Sequence, residues 1–152
     1  MHKGRLEDIN RLFLDYRRQF EVGDAQQVAD FYRFPLHYYR EDGSKQAVSR
    51  EYFVRQVDKL LNAYRRLQVN QIVGTVTDVI ELNENSSLAS LNWTLLYPQG
   101  EKSAELYSAT TRYIVGDTQD SLKLDGLVLV DEAEKIRGAV RARRKANRDG
   151  KA

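Results

Sequence analysis

Side chains with a polar tip, most of them aromatic, recur at alternating positions in the second half of this chain. Tyr107, Thr111 and Tyr113 are separated by even numbers of residues, so they share one side of a predicted strand, with Arg112 on the other side. Trp93, the single tryptophan, falls in another alternating run. Such rings offer a flat ligand a large apolar surface, but they fill a hydrophobic core equally well.

Three polar side chains in the first half are further candidates for contact with a ligand. Tyr16 lies on the apolar face of a predicted helix, where a tyrosine ring packs in the core and its hydroxyl reaches the edge. Tyr38 and Arg40 alternate along a predicted strand. A guanidinium is always protonated, so Arg40 suits a carboxylate or an enolate and cannot act as a base. Alternation sends His37 to the opposite side.

The composition excludes several kinds of chemistry. Hydrophobic residues are 41% and charged residues 30% of the 152, which is ordinary for one soluble globular domain. The absence of cysteine excludes disulfides and thiolate catalysis, and two histidines leave little for a metal site or a serine–histidine triad. We therefore predict no metal and no cofactor. With no apolar run near the roughly 20 residues of a membrane span and no signal peptide, we expect no membrane association and a cytoplasmic location.

Positive charge is concentrated at the C-terminal end. Residues 135–152 contain eight lysines and arginines and one aspartate, a net charge of +7, so residues 1–134 carry −5 of the total of +2. This boundary predicts one domain over residues 1–134 and a basic tail over 135–152 that is helical or disordered. The tail has no interleaved aromatic residues and no nucleic-acid-binding motif, so we predict a solvated helix end rather than a nucleic-acid interface.

Two helices separated by a sharp hinge begin the chain. Apolar residues at intervals of three and four predict a helix over residues 5–22. Gly23 can close this helix in the left-handed conformation, and Asp24 can cap the next one by accepting a backbone N–H. That second helix is predicted to run to Tyr32, before Pro35.

A hairpin, a third helix and four more strands complete the predicted order. The pair Asp42-Gly43 predicts a two-residue turn, because both turn positions need positive φ, and Ser49 caps a helix that ends at Arg66. A final helix can extend from Glu132 to about Asn147. The strands are predicted over residues 36–41, 44–48, 69–82, 87–97, 102–115 and 122–130. Three helices with a hairpin, followed by a four-stranded meander, make an α+β fold.

This order of elements resembles the nuclear-transport-factor-2-like superfamily, which includes ketosteroid isomerases, SnoaL-like polyketide cyclases and scytalone dehydratases. The resemblance covers about residues 5–131. It rests on the Gly23-Asp24 hinge, the Phe31-Tyr32 pair before Pro35, and the Asp42-Gly43 hairpin. It implies a cone in which a curved antiparallel sheet wraps the three helices and leaves a mostly apolar pocket at the open end. The fold hosts enzymes, carriers and assembly domains, so it fixes no function.

The resemblance also allows the catalytic residues of one reaction to be compared with this sequence. Ketosteroid isomerases use a tyrosine of the first helix and a carboxylic acid as an oxyanion hole, and a second carboxylate as base. Here Tyr16 matches that tyrosine, but Arg40 falls at the base position and Thr111 at or near the acid position. This disfavours isomerisation of that type. A small register error would instead bring Glu41 or Asp42 to the base position, although both are predicted in the turn.

Three functions remain open. The leading hypothesis is a homodimeric domain that holds a small apolar or anionic ligand and has no assignable catalytic residue. The alternatives are a lyase, isomerase or cyclase for a small aromatic or polyketide-like substrate, and an assembly module with a filled pocket. We expect the dimer to form through the outer sheet face, and Trp93 to be buried against Phe13 or Tyr16. The candidate ligand-binding residues are Tyr16, Tyr38, Arg40, Trp93, Tyr107, Thr111 and Tyr113.

Overall fold

The structure, a computed structural model, describes residues 3–118 and 121–149. It is an α+β fold in which three helices precede most of the sheet and a fourth helix follows it, as the sequence predicts. The elements are α1 (Lys3–Val22), α2 (Ala25–Ala29), β1 (Tyr32–Tyr39), β2 (Lys45–Val48), α3 (Arg50–Arg66), β3 (Gln71–Asn83), β4 (Ser86–Gln99), β5 (Lys102–Asp117), β6 (Leu122–Leu129) and α4 (Glu132–Asp149).

The six strands form one sheet in the order β2-β1-β6-β5-β4-β3. Strand β1 runs parallel to β6, and the other neighbouring pairs are antiparallel. The parallel pairing joins the small hairpin to the four-stranded meander. Register shifts interrupt the ladders within the long strands, where bulges bend a strand and increase its twist. The result is the curved sheet that the sequence predicts.

The hinge between the first two helices forms as predicted, but the second helix is shorter. Gly23 has a φ of +83°, and the Asp24 side chain accepts hydrogen bonds from the N–H groups of Gln26 and Gln27. Helix α2 ends at Ala29, and Tyr32 already belongs to β1, so the prediction of a helix to Tyr32 is wrong. Burial explains the early change to strand geometry, because Tyr32 pairs with β6 and its ring enters the core.

The hairpin turn is also longer than predicted. Arg40 N–H donates to the carbonyl of Ser44 at 2.9 Å, so Glu41, Asp42 and Gly43 lie between the bonded pair instead of two residues. Gly43 has a φ of +88°, which is the left-handed residue of a three-residue turn. Asp42 stabilises the turn by accepting hydrogen bonds from the N–H and hydroxyl of Ser44.

The core lies between the helices and one face of the sheet, called here the inner face. Along β4 the alternate residues Ala89, Leu91, Trp93 and Leu95 are buried. The facing alternate residues of β5, from Tyr107 to Tyr113, are buried as well. Helix α4 packs along β5, and the predicted boundary at residue 134 falls within it. No helix in the described part of the chain is long and apolar enough to cross a membrane.

Candidate ligand-binding cavity

A cavity of about 280 Å³ lies between the inner face of the sheet and helices α1, α3 and α4. Its wall is mostly aromatic and aliphatic, with a few polar groups. The lining residues are Tyr16, Arg17, Phe20, Tyr32, Tyr38, Arg40, Glu41, Phe53, Gln56, Val57, Leu60, Tyr64, Ile72, Trp93, Leu95, Thr111, Tyr113, Leu127, Leu129, Glu132, Ala133 and Ile136. A concave, mostly apolar wall with a few polar groups is typical of small-molecule binding sites.

The structure brings together the residues selected from the sequence. Tyr16, Tyr38, Arg40, Trp93, Thr111 and Tyr113 line the cavity, whereas Tyr107 does not. Tyr107 is nevertheless connected to the cavity, because its hydroxyl donates a hydrogen bond to Glu132, which lines it. Whether these residues bind a ligand stays a prediction.

Tyrosine hydroxyls and the indole form two hydrogen-bonded pairs in the cavity wall. The hydroxyls of Tyr16 and Tyr32 lie 2.6 Å apart, and the indole N–H of Trp93 donates to the hydroxyl of Tyr113 at 3.0 Å. The ring of Tyr16 lies 5.9 Å from that of Tyr113. Burial raises the pKa of Tyr16, Tyr32 and Tyr113 above the ordinary value, so these hydroxyls keep their protons and act as neutral donors.

Trp93 occupies the predicted position. It is 7% exposed and its ring contacts Tyr16 at a centroid distance of 6.0 Å. Its cross-strand partner is Gly74 on the edge strand β3. The six-membered part of the indole lies where a side chain at Gly74 would stand, so the glycine makes room for the ring.

The carboxylate of Glu132 is the main functional group that the sequence analysis missed. Its Oε2 accepts hydrogen bonds from the hydroxyls of Tyr64 and Tyr107, both at 2.9 Å. Burial raises the pKa of Glu132, and the two hydroxyls counteract part of that rise. Glu132 is the first residue of α4, shortly after the end of β6 at Leu129, and an acid in the first helical turn is a common charge pattern. Nothing in the sequence indicates that it faces a cavity.

Arg40 lies at the end of β1 beside the hairpin. Its Nη2 donates to Gln46 Oε1 at 2.8 Å and to the Tyr52 hydroxyl at 3.3 Å, and its guanidinium lies 5.6 Å from the centre of the Tyr38 ring. Glu105, an acid that could otherwise pair with Arg40, is on β5, and β6 separates that strand from β1. Burial raises the pKa of Tyr38 to about 12.

The remaining ionisable side chains of β1 and the hairpin lie in different places. Glu41 lines the cavity, and Asp42 is exposed in the turn. His37 is exposed and does not line the cavity, as alternation along β1 predicts. Among the described residues, no group of three or more histidine, aspartate or glutamate side chains is placed to hold a metal ion.

Comparison with known proteins identifies the family. A family model described as NTF2-like protein (DUF6841) matches residues 7–132, and the chain therefore belongs to this family. The match spans the hinge, the hairpin and all six strands, and it ends at the first residue of α4. No curated protein matches the chain in sequence.

Solved structures share the fold at low sequence identity. Aln2 from a Streptomyces species is 11% identical with a TM-score of 0.70, over 91% of this chain and 98% of Aln2. A protein from Catenulispora acidiphila, in complex with S-DNPA, is 14% identical with a TM-score of 0.63, over 83% and 92% of the two chains. A domain of unknown function with a cystatin-like fold from Nostoc punctiforme is 13% identical with a TM-score of 0.62, over 97% and 94%. These similarities show the fold only.

Proposed function

We propose that this chain is a small-molecule-binding domain that holds a flat, mostly apolar ligand in the cavity. The observation that carries the proposal is the cavity itself, since a volume of about 280 Å³ ringed by aromatic side chains suits a molecule with one or two fused rings. An assembly module with a filled pocket would place side chains in this space. The S-DNPA complex of the Catenulispora acidiphila protein supports the idea that this fold can hold a small molecule.

Arg40 is the proposed contact for an anionic group on the ligand. Its guanidinium lines the cavity, and its described hydrogen-bond partners, Gln46 and Tyr52, are both neutral. A carboxylate in this position would form a charge-assisted hydrogen bond with the guanidinium.

Thermal shift and titration calorimetry with 2-naphthoic acid test this proposal. We expect the acid to stabilise the wild-type protein, and Arg40→Ala to weaken its binding by about 1.5–3 kcal/mol, the range for a hydrogen bond to a charged group. The exposed residue Arg55 on α3 provides a matched control, so Arg55→Ala should bind as the wild type does. If all three proteins bind 2-naphthoic acid with equal affinity, Arg40 does not contact the ligand. No binding of 2-naphthoic acid or of its neutral alcohol at millimolar concentration would overturn the proposed function.

We also propose that the domain works as a homodimer through the outer face of the sheet. Ile80, Leu88 and Ile114 are direct cross-strand neighbours and form an apolar row on that face, and Ile80 is 49% exposed. Contiguous exposed apolar surface of this kind commonly marks a protein interface. A stable twofold contact would bury at least about 1,200 Å² in total.

Light scattering tests the homodimer. The wild-type protein should have twice the mass of the 17.6 kDa chain at tens of micromolar, and Ile80→Glu should shift it toward the monomer. Leu14→Glu, a comparably exposed position on α1, should leave the mass unchanged. A wild-type monomer at this concentration would overturn the dimer without affecting the cavity.

A further inference from the structure

The carboxylate of Glu132 occupies an unusual environment for an acid. It lines a cavity whose wall is mostly apolar, and both hydroxyls that bond to it, from Tyr64 and Tyr107, meet the same oxygen, Oε2. No described residue donates a hydrogen bond to Oε1. The two phenol donors therefore fix the carboxylate in place while one of its oxygens keeps its capacity to accept.

The protein supplies no opposite charge for this carboxylate. Among the residues that the structure describes, no lysine, arginine or histidine forms an ion pair with Glu132. The two arginines that line the same cavity are held elsewhere: Arg17 pairs with Glu21 at 3.3 Å, and Arg40 bonds to Gln46. A carboxylate in a poorly hydrated site is costly unless it is protonated or meets a cation.

The rest of the wall is suited to a cation. Aromatic rings carry negative charge on their faces, and they attract an ammonium group that lies over them. Rings from four parts of the chain line the cavity with Glu132, on α1, β1, α3 and the meander strands β4 and β5. They include Tyr16, Phe20, Tyr32, Tyr38, Phe53, Tyr64, Trp93 and Tyr113.

We infer that the natural ligand of this cavity is an organic amine, a flat apolar molecule whose ammonium group donates to Oε1 of Glu132 and lies among the surrounding rings. This inference rests on the proposed function, because it names the chemical class of the ligand for the same cavity. The ammonium supplies the missing positive charge, and the rings supply both apolar contact and cation–π attraction. An anionic group on the same molecule would meet Arg40.

A pair of matched probes tests the inference in titration calorimetry at pH 8. The probes are 2-naphthylmethylamine, whose amine is protonated at this pH, and 2-naphthylmethanol, its neutral isostere. We expect the wild-type protein to bind the amine at least about tenfold more tightly than the alcohol, as for a hydrogen bond between charged groups. Glu132→Gln keeps the size and an acceptor oxygen of the side chain but removes its charge, so this variant should bind the two probes about equally.

Glu134→Gln is the matched control. It removes the same charge from an exposed position in the same helical turn, and it should keep the wild-type preference for the amine. Preference for the amine that survives Glu132→Gln would overturn the inference. So would equal binding of both probes by the wild-type protein, which decides the question even if Glu132→Gln fails to fold. In either case binding itself leaves the proposed function standing. No binding of either probe overturns the inference, and it overturns the proposed function as well only if 2-naphthoic acid also fails to bind.

Discussion

A methyl group at position 74 should change both the stability of the fold and the shape of the cavity. A Cβ built on Gly74 would lie 2.7 Å from Cε3 of Trp93, 2.9 Å from Cη2, and closer still to Cζ3. Ordinary van der Waals contact begins at 3.4 Å, so Cε3 alone would have to move by about 0.7 Å. The side that is open to the indole is the cavity, and we therefore expect Gly74→Ala to push the ring into it.

The size of the effect follows from what the indole loses. Overpacking beside a buried side chain costs about 1–3 kcal/mol. Displacement also strains or breaks the 3.0 Å hydrogen bond from Trp93 to the Tyr113 hydroxyl, which is worth about 1 kcal/mol. Alanine regains about 0.5–1 kcal/mol, because glycine in a strand loses more conformational entropy on folding. The net destabilisation should be about 1–3 kcal/mol, and the smaller cavity should weaken any ligand that fills it.

Chemical denaturation followed by the fluorescence of Trp93, the single tryptophan, measures both consequences. Gly74→Ala should lower the free energy of unfolding and shift the native emission maximum, because the indole loses its hydrogen-bonded position. Gly138→Ala is the matched control: nothing lies within 4 Å of a Cβ there, and alanine within α4 should stabilise the protein by about 0.5–1 kcal/mol. An unchanged emission maximum together with unchanged stability for Gly74→Ala would refute the placement of Trp93 against β3.

Three further predictions concern single side chains. Tyr107→Phe removes a donor to the Glu132 carboxylate and should lower stability by about 1.5–3 kcal/mol in urea denaturation, whereas Tyr97→Phe, whose hydroxyl bonds to no described residue, should change it little. Ser49→Ala removes the cap of α3, an acceptor for Tyr52 N–H, and should cost about 1 kcal/mol by the same method. Because burial raises the folded-state pKa of Glu132, the folded protein holds this proton more tightly than the unfolded chain, and stability falls as the pH rises from the unfolded to the folded pKa. Glu132→Gln should therefore raise the melting temperature at pH 8, and calorimetry should show this gain shrinking toward pH 4.

Local signals in the sequence predict most of the fold because each one has a direct physical cause. Gly23 adopts positive φ and Asp24 caps the following helix, and these conformations depend on neighbours within a few residues. Alternation likewise predicts which side of β4 and β5 is buried. The errors occur where contacts between residues far apart in the sequence determine the local structure. Tyr32 joins β1 because this strand pairs with β6, which lies far away in the sequence.

The same distinction explains which parts of the cavity could be predicted. Tyr16, Trp93 and Tyr113 are identified by the periodicity of their own elements, and all three line the cavity. Glu132 could not be identified in this way. Its position depends on how α4 packs against β5 and on the hydrogen bond from Tyr64 of α3. A carboxylate at a helix start is ordinarily a solvated charge that interacts favourably with the helix dipole. Only its partners, Tyr64 and Tyr107, show that it is held in the cavity wall.

Helix α4 therefore has two roles: its start lines the cavity, and its basic part attaches the helix to the rest of the fold. The amino-acid composition of the helix alone does not reveal the first role. Its first two turns contribute Glu132, Ala133 and Ile136 to the cavity wall. Further along, Arg143 donates to the carbonyl of Leu67 and its guanidinium lies 4.6 Å from the centre of the Tyr97 ring, which attaches the basic part of the helix to the sheet and to the end of α3. The family match ends where α4 begins, so most of this helix lies outside the matched region. Glu132 itself is the last matched residue, so if it selects the ligand, the specificity of this chain comes from the point where the matched region meets α4.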